Sequence, residues 1–308
     1  MQKAIRLAIV GAGKIVVDQH LPALARDPSF ELVAMVDPRG SEADVPCFPT
    51  LDALLTSNLV VEAAVIATPP QVREGVAVCA LNAGLHVFLE KPPATTLSGA
   101  RRMLAYCAQR QTLFAAWHSR EAPMVDVARQ WLEGRSITGG VIQWREDAHQ
   151  WHPGQRWLWQ PGGFGIFDPA INGFSILTAI STEHFSVAEA IFEMPVNQHA
   201  PIAVKGTLSS GHAAISLDLD FREKHQQSWL IELTTADGGR MQLTDGGRSV
   251  SFDNASPLTG ESQEYSRLYA KFARLIESGE REMDIRPLEL VADAFLLAKQ
   301  NPAPEFHP

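Results

Sequence analysis

The chain reads as an α/β protein in two parts: a doubly wound parallel sheet first, then a strand-rich α/β half. Three observations predict this. Up to about residue 120, short apolar runs alternate with helix-length stretches, the pattern of repeated βα units. The first run leads straight into Gly11-Ala12-Gly13, and the second ends in Asp37. Farther on, alternating apolar and polar runs are split by Gly238-Gly239 and Gly246-Gly247, which signals antiparallel strands joined by tight turns. We therefore expect domains over 1–120 and 121–308, because 308 residues are long for a single core.

In the first part, residues 4–10 form a strand, a glycine turn follows, and a helix runs from about Lys14 toward Arg26. A second strand over 31–36 ends in Asp37. Strand, glycine turn, helix, strand and acid is the order a dinucleotide site requires. Gly11 permits the tight turn, Gly13 lets backbone approach a pyrophosphate, and Lys14 and Ile15 open the helix whose N-terminus favours an anion. Asp37 can accept bonds from adenosine ribose hydroxyls, and Arg39 can neutralise a 2′-phosphate. Asp37 would repel that phosphate, so NAD is favoured and NADP stays open. A third glycine of the pattern would fall at Val16, where a larger side chain must be packed.

Further units follow: a helix over 51–55, a strand over 60–67, a helix from about 71 to 82 stopped by Gly84, a strand over 86–90, a helix from 97 to 110 and a strand over 112–117. In such sheets ligands lie beyond the carboxyl ends of the strands. That edge carries Thr68 and Pro69, then Glu90, Lys91, Pro92 and Pro93, and then His118. The two prolines remove backbone donors and fix φ, which stiffens the turn around Lys91.

Net charge is −9 with no basic block, which argues against nucleic acid or an anionic membrane surface as partner. Three cysteines without metal-type spacing argue against a disulfide framework, and no apolar run is long enough to span a bilayer. A reduced, cytoplasmic protein is the expectation.

In the second half, a helix over 123–134 and a strand over 141–147 precede a segment rich in Trp, Pro and Gly, from Trp151 to Gly165. Indole faces suit the C–H faces of a sugar ring, so Trp151 is a candidate substrate contact, as is Trp229. His149 and His152 lie near Glu146 and Asp147, but the spacing matches no metal pattern and no metal is expected. Asp168-Pro169 before an apolar run predicts a helix start with Asp168 as N-cap. Asp168 and Asn172, four apart, share one face near its first turn. Strands are expected over 213–221, 228–235, 240–243 and 249–252. Helices over 264–278 and 287–299 close the chain, the last returning to the first domain.

Taken together, Gly11-Ala12-Gly13-Lys14-Ile15, Ala67-Thr68-Pro69-Pro70 and Glu90-Lys91-Pro92 resemble the glucose-fructose oxidoreductase / inositol dehydrogenase family of NAD(P)-dependent sugar oxidoreductases. The resemblance implies a Rossmann domain and a C-terminal α/β domain on a large, open, mostly antiparallel sheet; one free face of such a sheet could supply a homodimer contact or a pocket floor, and a homodimer through it is the expectation. It also implies that Lys91 lies beside the nicotinamide and the substrate hydroxyl. The family typically has Asp and His where this chain has Asp168 and Asn172. A histidine relay therefore cannot be carried over, and Asp168 or Lys91 becomes the expected proton acceptor. Within the family, Ala116-Trp117-His118-Ser119-Arg120, Trp151-His152-Pro153-Gly154-Gln155 and Phe167-Asp168-Pro169 are most similar to the branch that oxidises D-galactose and L-arabinose at C1 to the lactone. Oxidation of a secondary hydroxyl on an inositol-like ring, or a non-catalytic nucleotide-binding sensor, are the alternatives.

Overall fold

The computed structural model describes residues 3–308. Two compact units emerge: the first runs to His118 and includes Glu264–Ile285, and the second holds Ser119–Gln263 and Arg286–Pro308. The first unit is built on six strands: β1 Ile5–Val10, β2 Phe30–Val36, β3 Cys47–Phe48, β4 Ala63–Ile66, β5 His86–Glu90 and β6 Leu113–Ala116. Their order is β3-β2-β1-β4-β5-β6 and every pair is parallel. This is the doubly wound order of a dinucleotide-binding sheet. All carboxyl ends therefore share one edge, and the corners after β1, β4 and β5 share it too.

Local chemistry explains the connecting helices. Thr50 and Thr96 start the helices Leu51–Leu55 and Leu97–Tyr106, their hydroxyls accepting from Ala53 N–H at 3.2 Å and Gly99 N–H at 3.1 Å. The helix Pro70–Asn82 begins on a proline and gives way to Gly84 at φ +83°. The helix after the glycine turn spans residues 14–24 and widens over Val16–His20, where Leu21 N–H reaches back to the Val16 carbonyl. Val16, in place of the third glycine, is fully buried.

The sheet's core is completed from far along the chain. In the helix Glu264–Ser278, Tyr265, Leu268, Tyr269, Phe272 and Leu275 form a helical stripe that packs on Phe30, Phe88 and Phe114. It is this helix that returns to the first unit. The last helix, Arg286–Leu297, belongs to the second, contrary to the sequence expectation. Nor does it run to 299: Lys299–Ala303 forms a strand, because Pro302 cannot sit inside a helix but is tolerated on a sheet edge.

The second unit carries a nine-stranded sheet. Its strands are β7 Ile137–Arg145, β8 Ser186–Pro195, β9 Ala203–Ser209, β10 Ala214–Asp220, β11 Ser228–Thr235, β12 Arg240–Thr244, β13 Ser249–Phe252, β14 Leu258–Thr259 and β15 Lys299–Ala303. The order is β14-β13-β12-β11-β7-β10-β9-β8-β15, antiparallel except at β7–β10 and β8–β15. The helices Phe167–Ile180 and Arg286–Leu297 pack against this sheet, with Phe167, Phe192 and Phe295 in ring contact. Among the described residues, no helix is long and apolar enough to cross a membrane.

Candidate active site

The first unit assembles the expected nucleotide features at one edge. Gly11 has φ +106°, and a Cβ there would lie 2.9 Å from the Ala67 carbonyl oxygen, so only glycine fits. At Gly13 nothing lies within 4 Å of where a Cβ would project, which leaves the turn's backbone open to approach. Asp37 Oδ2 accepts from Ala12 N–H at 2.9 Å, bringing the acid at the end of β2 to the middle of the glycine turn. Its Oδ1 accepts from Arg39 N–H at 2.9 Å and from the Arg39 Nε at 3.2 Å. Burial raises the Asp37 pKa, but the Arg39 side chain and the backbone donors outweigh it and hold the carboxyl below its usual range. An ionised acceptor beside an open backbone turn fits the ribose and pyrophosphate of a nicotinamide dinucleotide. Of the other expected cofactor residues, Lys14 is exposed and pairs with Asp18, while Ile15 packs partly buried on the core. The Thr68 hydroxyl is buried without a hydrogen-bond partner, and Pro69 directly precedes its helix.

The Lys91 corner is braced by buried charge. Glu90 is buried at the end of β5, and its Oε2 accepts from Lys91 N–H at 2.9 Å. Its Oε1 meets His20 Nε2 at 3.0 Å and accepts from the Tyr265 hydroxyl at 2.7 Å. Burial alone would raise the Glu90 pKa. The bond and charge of His20, the charge of His118 and the Tyr265 hydroxyl reverse that and bring it down to about 2. Arg73, also buried, donates to the carbonyls of Thr68, Glu90 and Pro92, so one guanidinium ties the 67–70 corner to the Lys91 corner. The Lys91–Pro92 peptide is cis. The His118 ring stacks on Tyr265, with centroids 5.8 Å apart.

In the second unit, a polar cluster gathers at the start of the Phe167–Ile180 helix. Asp168 is not the N-cap the sequence predicted: the turn at Gly165 and Ile166 begins the helix earlier, and Asp168 N–H donates to the Gly165 carbonyl. Its buried carboxylate is thereby released from capping. His152 Nδ1 lies 4.0 Å from Asp168 Oδ2, and His152 Nε2 lies 3.1 Å from Glu146 Oε1. The other Glu146 oxygen accepts the Trp229 indole N–H at 2.7 Å. Trp151 is 44% exposed, donates its indole N–H to Gln227 Oε1 at 2.6 Å and meets Trp229 edge to face at 5.7 Å. The Asn172 side-chain oxygen is buried without a hydrogen-bond partner. Acceptors, a histidine and two indoles in one cluster suit a hydroxylated ligand with apolar C–H faces. His149 turns to Asp147 and to the His307 carbonyl. No group of three or more His, Cys, Asp or Glu that could hold a metal ion occurs among the described residues.

These features agree with likeness to known proteins. Residues 5–118 match the model of an oxidoreductase family with an NAD-binding Rossmann fold. Galactose 1-dehydrogenase of Pseudomonas fluorescens is 35% identical over 316 residues, covering 98% of this chain and 99% of that one. The chain belongs to this oxidoreductase family. A D-galactose-1-dehydrogenase protein from Rhizobium etli has a crystal structure with TM-score 0.94 and 42% identity, covering 100% of this chain and 99% of that chain. A 3-ketoreductase of Actinomadura kijaniata, solved with NADP, shares the fold at TM-score 0.82 and 18% identity over 98% of this chain and 100% of that chain. As a member of the family, the chain is an NAD(P)-dependent oxidoreductase with a Rossmann unit and a second, mostly antiparallel sheet.

Sequence reasoning missed three members of these clusters. Glu146 drew notice only beside a metal pattern that did not fit, and its pairing with His152 depends on the chain doubling back over residues 148–152. Arg73 and His20 sit at buried positions within helices, where the sequence pattern alone does not reveal a polar side chain in the interior. The one available signal was a cationic or imidazole side chain on an otherwise core-facing helix position.

Proposed function

We propose that the protein is an aldose 1-dehydrogenase that oxidises the anomeric carbon of D-galactose- and L-arabinose-type sugars to the lactone, with NAD favoured over NADP. The observation that carries this reading is the cluster of Asp168, Asn172, His152 and Glu146 with two indoles, in a chain similar along its whole length to galactose 1-dehydrogenases. A bound nicotinamide supplies the hydride acceptor. The protein's task is to hold the sugar, take its C1 hydroxyl proton and stabilise the charge that develops on that oxygen. Lys91 or Asp168 takes the proton; a Lys91 that stays charged acts instead as the electrostatic partner of the developing alkoxide. Asn172 cannot titrate and serves as a hydrogen-bonding group, its unpartnered oxygen matching a sugar hydroxyl. Trp151, Trp229 and His118 complete the substrate contacts. Gly11, Gly13, Lys14, Ile15, Asp37, Arg39, Thr68, Pro69 and Glu90 hold or support the nucleotide.

This reading includes a cytoplasmic location, supported by three free cysteines, and a homodimer formed through the second unit's sheet. Sedimentation at micromolar concentration is expected to give twice the 33.7 kDa chain mass. The deciding experiment follows absorbance at 340 nm with aldoses and inositols, separately with NAD and NADP. Rapid reduction is expected with D-galactose or L-arabinose and none with inositols. A ketone product from an inositol would overturn C1 oxidation, and silence with every sugar would leave a nucleotide-binding sensor.

A further inference from the structure

Behind the Lys91 corner lies a buried network that the chemistry at the sugar does not itself require. Residues two apart in a strand share a face, so Glu90 follows Phe88 into the aromatic layer beneath the Glu264–Ser278 helix. There it meets His20, which is fully buried and whose ring lies edge-on to Phe88, Tyr265 and Tyr269 at 5.6, 4.9 and 5.8 Å. Both ring nitrogens are engaged: Nε2 with Glu90 Oε1 at 3.0 Å, and Nδ1 with the Tyr269 hydroxyl at 2.7 Å. Thus a line of hydrogen bonds runs from Tyr269 through His20 and Glu90 to the backbone N–H of Lys91.

Hydrophobic side chains in place of a buried polar pair are often neutral or stabilising, so stability alone is a weak reason for this arrangement. What apolar packing cannot do is hold a peptide N–H in one direction. His20 also sits at the end of the widened turn Val16–His20, in the helix that starts at the glycine turn. Such turns are rare and concentrate at functional sites. We propose that His20 is a positioning residue for Lys91: through the Glu90 carboxylate it fixes the backbone that carries the lysine relative to the helix that begins at Gly13. This rests on Lys91 acting on the substrate, as proposed above.

Two amide substitutions separate the halves of the contact. In His20→Gln the side-chain amide reaches about as far as Nε2 and keeps a donor toward Glu90. In His20→Asn it reaches only about as far as Nδ1, so the Tyr269 side is kept and Glu90 is abandoned. With the fastest sugar of the panel, His20→Gln is expected to hold kcat within about threefold. His20→Asn is expected to lower kcat roughly 10- to 100-fold while the sugar KM moves less than about threefold, the size of loss that small misplacements produce. Reduced-nucleotide affinity, read by fluorescence, is expected to stay near native in both. Equal kcat for the two variants, whether high or low, would overturn the proposal. If both fail to fold, Tyr265→Phe removes a different donor from the same Glu90 oxygen and is expected to lower kcat several-fold; an unchanged kcat there would overturn it equally. Lys91→Ala, run in parallel, keeps the two readings apart. A near-normal rate for that variant defeats the assignment of Lys91 itself, whereas a dead Lys91→Ala beside equal His20 variants defeats only the positioning.

Discussion

Asp37 joins two demands in one carboxylate. It accepts from the Ala12 N–H of the glycine turn and from Arg39, and these bonds hold it ionised beside that turn, where the proposed function seats the adenosine ribose. That charge favours a ribose with two free hydroxyls over one bearing a phosphate, while the 78% exposed Arg39 side chain is drawn toward Asp37. Asp37→Ala removes the acceptor and frees the guanidinium. NADH affinity is expected to fall about tenfold or more, the scale of a charge-assisted hydrogen bond, and NADPH affinity to hold or rise. Fluorescence titration of both nucleotides checks this; parallel losses would mean that Asp37 acts only through the fold of the turn. The residue itself was legible in the sequence, because strand, glycine turn, helix, strand and acid is a local order. Its bond to Ala12 fits that order. The Trp229–Glu146 bond does not, since it joins residues 83 apart and depends on the register that sets Trp229 opposite Trp144.

At the scale of elements, the glycine turn shows how one short motif serves both folding and binding. Alanine at Gly11 would combine a left-handed φ with a Cβ 2.9 Å from the Ala67 carbonyl, so the corner after β4 would have to shift. Such backbone strain costs about 1–3 kcal/mol. Alanine at Gly13 meets nothing within 4 Å. The two variants should therefore separate. Gly11→Ala is expected to lower the melting temperature by several degrees and to weaken nucleotide binding. Gly13→Ala is expected to melt like the wild type yet bind nucleotide poorly, because the added methyl occupies the space a pyrophosphate needs. Native affinity in Gly13→Ala would show that the ligand does not approach that backbone. The βα units of the first sheet could be read from sequence because each carries its own turn and cap signals. β8 and β9 could not: a bulge between Val187 and Glu189 breaks the alternation, and Gly206 interrupts β9 where its Cβ would lie 2.6 Å from the Glu189 carbonyl. β15, the segment Lys-Gln-Asn-Pro-Ala, has no strand propensity and is held by pairing with β8 at the sheet edge.

For the whole molecule, the consequential feature is that the first unit's core is closed by a helix from residues 264–278, so the Glu90 network exists only when distant parts of the chain have folded together. That network links stability to pH. In the unfolded chain Glu90 titrates near 4.5, whereas in the fold its pKa is brought down to about 2, with burial opposed and outweighed by His20, His118 and Tyr265. The folded state therefore binds the Glu90 proton more weakly than the unfolded state. Its stabilisation is fully present above pH 4.5 and is lost as pH falls from there toward 2, and it amounts to about 3 kcal/mol when complete. Glu90→Gln removes the titration but leaves a side chain of similar size. Urea unfolding at pH 7, 4.5 and 3 is expected to show wild type more stable than the variant at pH 7, with the gap nearly kept at pH 4.5 and clearly narrower at pH 3. A gap that stayed constant with pH would mean that folding does not shift the Glu90 pKa. The same experiment bears on the buried pair as a whole, since protonating Glu90 also deprives His20 of its anionic partner. The narrowing should then follow the acid loss of the Tyr265 and Tyr269 aromatic signal in the near-ultraviolet, because both tyrosines are packed on that pair.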